Sequence, residues 1–97
     1  MENVAAISSE QKFKILIKAE MRYLADLFDF DNNQYDANKV KSFINAASHG
    51  ERLMAQFALG VWPGTDKFNF DFTEAAAHLE QKQIKTVTDW LQNPFWP

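Results

Sequence analysis

The spacing of apolar residues predicts an all-α fold, a compact bundle of three or four helices over about 9–28, 37–48, 50–62 and 73–92, with an extended aromatic connector at 67–72. Two observations carry this reading. Apolar side chains recur at helical intervals in separate stretches, and capping patterns stand at the heads of those stretches. A third observation removes the alternative, because only the 68–72 stretch alternates in the manner of a strand and nothing else in the chain offers it a partner.

The first helix opens at Ser8-Ser9-Glu10-Gln11, where a serine hydroxyl can accept from the amide three residues on while Gln11 reaches back. Phe13, Leu16, Ile17, Leu24, Leu27 and Phe28 then share a face. Glu20 falls near the centre of that stripe, so a helix running to Phe28 makes it a candidate buried polar anchor: it pairs with a basic residue such as Arg52 or lies at a rim that solvent reaches, or it anchors a pocket or subunit interface. Residues 29–36 hold turn formers without a helical period and predict a loop closed by Asp36 as the next cap. Val40, Phe43, Ile44 and Ala47 supply the second helix's inner face. A continuous helix through Gly50 would bury Glu51, whereas Ser48 and Glu51 form a capping pair, so either a break at Ser48 or a sharp kink at Gly50 is expected, leaving 37–62 as two helices or one kinked helix.

The stretch from Leu53 to Trp62 is apolar nearly all round and belongs in the middle of a bundle or under a partner. Pro63-Gly64 ends it. Phe68, Phe70 and Phe72 would project from one side of an extended connector. Asp71 or Thr73 caps the last helix, whose inner stripe is Ala76, Leu79, Val87, Trp90 and Leu91, with Ile84 at its margin. No repeat or flexible linker divides the chain, and residues 1–97 are taken as one domain.

Composition narrows the function classes. The 97 residues are 46% hydrophobic and 24% charged, with a net charge of −3, which suits a soluble globular domain and disfavours a general nucleic-acid binder. The absence of cysteine excludes thiolate metal sites and cysteine nucleophiles, and the opening residues lack the basic start of a secretory signal, so a cytoplasmic protein without a membrane partner is expected.

The chemical motifs are few. Asp29, Asp31 and Asn33 alternate as in the start of a calcium loop, but Gln34 stands where glycine is needed and Val40 where the bidentate glutamate belongs. Glu74 and His78 lie four residues apart without a third ligand nearby in sequence, and Ser48-His49 reads as a helix cap rather than a nucleophile and base. No catalytic residue, cofactor or metal is assigned.

The aromatic inventory is large: nine Phe, three Trp and two Tyr. The candidate interaction surface is Trp62, Phe68, Phe70, Phe72, Phe95 and Trp96, because one small core has limited room for so many rings. The expected function is a non-catalytic interaction module, forming a homodimer or docking on a larger protein. A ligand- or metal-binding bundle, with enzymatic activity included, is the second expectation. A nucleic-acid-associated regulator using Lys12, Lys14, Lys18 and Arg22 is the third.

Overall fold

The computed structural model describes residues 7–65 and 67–97. Ser8 caps the first helix, α1 (Ser9–Glu20), through a capping box in which Gln11 N–H donates to the serine oxygen and Ser8 N–H donates to the Gln11 side chain, both at 3.1 Å. The helix stops eight residues short of the expected end. Met21 leaves the helical region (φ −139°, ψ 49°) and a 3₁₀ turn runs from Arg22 to Leu27. The reason lies in the spacing of the apolar residues. Phe13, Ile17 and Met21 are four apart and share an α-helical face, while Met21, Leu24 and Leu27 are three apart and eclipse one another only in a 3₁₀ helix.

All five of these side chains are buried. Glu20, which a continuous helix would have placed in their midst, is exposed. The expected buried anchor is therefore corrected: the change of period puts Met21 in the buried place and releases the carboxylate to water, where it avoids desolvation. Arg52 does not pair with it. Its guanidinium instead donates to the carbonyls of Ile44 (3.3 Å) and Ala47 (3.5 Å), closing the end of the second helix.

The 29–36 segment, expected as a loop, is a small antiparallel ribbon in which β1 (Phe28–Asp29) pairs with β2 (Gln34–Tyr35). Asn33 adopts a positive φ of 52° at the turn, and Asn32 donates to Asp29 through its side chain (2.8 Å) and backbone (3.3 Å). Asp36 accepts from the amides of Asn38 and Lys39 and starts α2 (Ala37–Ala46). A break at Ala47 and Ser48 separates it from α3 (His49–Val61), whose capping box joins Ser48 and Glu51 as the sequence predicts. Replacing Ser48 by alanine is expected to cost about 1 kcal/mol of unfolding free energy, measured by urea denaturation. A change below a few tenths would show that the Glu51 contact alone holds the break.

The expected final helix is two. α4 (Phe72–His78) is capped by Asp71, and α5 (Gln81–Gln92) begins after two extended residues, Leu79 and Glu80. Neither glycine nor proline marks this break; Gln83 reaching back to the Glu80 amide (3.0 Å) does. The two extended residues reset the helical phase. Ala75 rather than Ala76 is buried with Leu79, Val87 remains inside, and Leu91 turns outward with 46% exposure. The fold is thus all-α apart from the short ribbon, with five α-helices and one 3₁₀ segment among the described residues. α3 runs through its middle, burying seven residues from Leu53 to Val61.

Candidate functional site

The apolar character of α3 leaves its last turns as the floor of a cleft. Phe57, Gly60 and Val61 face it from α3, Phe68 and Phe70 from the connector, Phe72 from the start of α4, and Trp90 and Leu91 from α5. The Pro63-Gly64 turn and Trp96 complete a cavity of about 290 Å³. Among the described residues lining it none is charged; Gln56, Thr65 and Asn69 supply the polar atoms.

The connector is not the straight strand its alternation predicts. Asn69 takes a left-handed conformation (φ 57°), and Phe72 is already helical. The rings consequently diverge. Phe68 meets Tyr35 edge-on (5.9 Å between centroids), Phe70 packs on Phe57 (5.6 Å), and Phe72 stands edge-on to Phe70 (5.1 Å).

Two glycines shape the floor. A Cβ on Gly60 would lie 3.3 Å from the Thr65 carbonyl oxygen. One on Gly64, at φ +70°, would lie 3.1 Å from Cδ1 of Trp96, so the indole rests on backbone that has no side chain. Trp90 stands at the back, edge-on to Phe57 (5.7 Å) and to Trp96 (5.6 Å), and its Nε1–H donates to the Phe95 carbonyl at 3.0 Å.

Four of the six surface candidates, Phe68, Phe70, Phe72 and Trp96, thus line one cleft. The structure places the other two elsewhere. Trp62 packs inward on Phe13 (4.9 Å) and Phe28 (5.6 Å). Phe95 lies across Trp90, in a groove between α1 and α5 that also includes Leu16, Glu20 and Thr86. There Lys85 is bound to Asp89 at 2.8 Å, and this hydrogen bond, with the carboxylate's charge, raises the lysine pKa above its ordinary value.

Two further clusters were only partly visible in the sequence. His49, from the first turn of α3, bonds Glu74 of α4 through Nε2 at 2.8 Å, and its ring lies 4.1 Å from that of His78. The helix spacing of Glu74 and His78 was legible, but their neighbour from α3 was not. Among the described residues no group of three His, Asp or Glu side chains is arranged to hold a metal ion. The calcium-like loop is likewise tied up internally, and Asn32 holds the Asp29 carboxyl below its usual range, first through its side chain and then through its backbone amide.

The basic and acidic residues meet within one chain. Lys14 and Lys18 share a polar groove with Asp26, Asp29, Asp31 and Asp36, and Lys39 pairs with Asp26 at 3.4 Å. No described helix is long and apolar enough to cross a membrane. No family model, curated protein or solved structure matches this chain.

Proposed function

We propose that this protein is a non-catalytic interaction module that takes an apolar anchor side chain of a partner chain into the cleft between α3, α4 and α5. One observation carries the reading. Of the six large hydrophobic residues exposed among the described residues, three, Phe72 (60%), Leu91 (46%) and Trp96 (55%), converge on this one cavity. Scattered apolar residues are ordinary on a protein surface, whereas rings gathered round a concave, uncharged floor are the anatomy of a hot-spot pocket.

The cavity's size sets the occupant. At about 290 Å³ it lies at the lower end of ligand-pocket volumes and suits one or two large side chains rather than a whole helix face. An aromatic or leucine anchor would stack against Trp90 and Phe70, while its backbone could reach Gln56 and Asn69 at the rim.

Peptides differing only in a central Trp, Phe, Leu or Ala test this by nuclear magnetic resonance titration. The three large anchors are expected to shift cleft resonances, with affinity falling about tenfold or more in Phe72→Asp. That substitution should leave the melting temperature close to the parent's, since the ring is largely exposed. Binding that ignores the anchor, or survives Phe72→Asp unchanged, would sink the proposal.

A further inference from the structure

The cleft does not end at Phe68. That ring is shared with a second hollow on its far side, of about 320 Å³, whose lining also includes Tyr35, Val40, Lys41, Ile44 and Lys67. Its character is different. The cleft's described lining is uncharged, whereas the hollow sets two lysines beside an apolar floor of Val40, Ile44 and Phe68, with no carboxylate among its described lining. Two other lysine-bearing grooves of this chain are balanced: Lys14 and Lys18 share theirs with four aspartates, and Lys85 is bonded to Asp89. The contacts of Lys67 are weaker. Its Nζ donates to the Tyr35 hydroxyl oxygen at 3.5 Å and lies 5.8 Å from the Phe68 ring centroid, and the residue is exposed.

We propose that the partner segment taken by the cleft is acidic as well as apolar: its anchor side chain enters the cleft, and a Glu or Asp about two or three residues along crosses Phe68 to meet Lys67 and Lys41. The inference rests on the cleft being a docking surface and adds the charge of its occupant. Phe68 belongs to both spaces, so one continuous segment lies across them. An extended chain advances about 3.3 Å per residue, and two or three residues cover the step from the cleft, over a single ring, to Lys67. The donors beyond that ring complement a carboxylate. They are two ammonium groups and the Tyr35 hydroxyl, which accepts from Lys67 and keeps its own proton to donate. The apolar floor between them receives the methylenes of the acidic side chain. A chain of net charge −3 attracts basic segments at long range, so a preference for an acidic one has to come from these local groups.

The test uses the full chain and Trp-anchored peptides that carry Glu, Gln or Lys about two or three residues before or after the anchor, titrated at low and at high salt. In one of the two directions the Glu peptide is expected to bind about three- to tenfold more tightly than the Gln peptide at low salt, with the Lys peptide weaker than either. The advantage should fall away as salt rises. Lys67→Glu should invert the order and Lys41→Glu should remove part of it. Both residues are exposed, so the melting temperature should stay near the parent's. Equal binding of the Glu, Gln and Lys peptides, with Trp still preferred to Ala as the anchor, would overturn the acidic partner while leaving the cleft as a docking surface. A Glu preference that persists in both lysine variants would overturn its placement beyond Phe68. If no anchored peptide binds, both proposals fall.

Discussion

Replacing Phe13 by alanine is expected to remove about 3–5 kcal/mol of unfolding free energy. The ring is fully buried and joins three parts of the chain: it meets Phe28 edge-on at 5.1 Å, Trp62 at 4.9 Å and Phe30 at 6.4 Å. α1, the ribbon and the end of α3 therefore share one support. A domain of this size has a total stability of roughly 5–15 kcal/mol, so the loss is a large fraction of the whole. Urea denaturation followed by circular dichroism measures it. The same chemical change at Phe72, which is 60% exposed, should stay within about 0.5 kcal/mol. Equal losses at the two positions would show that the ring cluster around Phe13 is not the centre of the core.

Valine at position 64 is expected to destabilise the chain by about 1–3 kcal/mol and to move the Trp96 indole into water. Two causes add. A β-branched residue is strained at the observed φ of +70°, and its Cβ would stand 3.1 Å from Trp96 Cδ1. Gly60→Ala separates the causes. Gly60 lies inside α3 at ordinary helical angles, so alanine gains about 1 kcal/mol in helix propensity against a 3.3 Å approach to the Thr65 carbonyl oxygen. The two terms nearly offset, and a net change below about 1 kcal/mol is expected there. Stability follows from denaturation, and displacement of the indole from a red shift of tryptophan emission. A Gly64→Val protein with unshifted emission would mean that Trp96 does not rest on this turn.

The helical class and most helix starts were legible in the sequence because capping is local chemistry. Ser8 with Gln11, Asp36, Ser48 with Glu51, and Asp71 each announce a start within four residues. What escaped were changes of phase within apolar stretches. The step from four-residue to three-residue spacing at Met21 still fits one broad α-helical stripe, so the 3₁₀ turn and the exposure of Glu20 were hidden. The break at Leu79 and Glu80 carries no glycine or proline, and its Glu80–Gln83 signal resembles an ordinary exposed pair. The ribbon was missed because two-residue strands are too short to show alternation.

The cleft was legible as an inventory and not as a place. Aromatic excess identified Phe68, Phe70, Phe72 and Trp96. Nothing local distinguished them from Trp62, whose ring the turn after α3 directs onto Phe13 and Phe28. Phe57, Gly60, Gly64 and Trp90, which build the floor and back wall, carry no local signal of a site, because their joint geometry exists only after α3, the connector and α5 have packed.

Trp90 has a consequence of its own. One indole separates the aromatic cleft from the groove between α1 and α5, so the two spaces share a wall and cannot be resized independently. An occupant that tilts the ring from one side changes the room on the other. Were both spaces to take ligands, thermodynamic reciprocity would require each to change the other's affinity by the same factor.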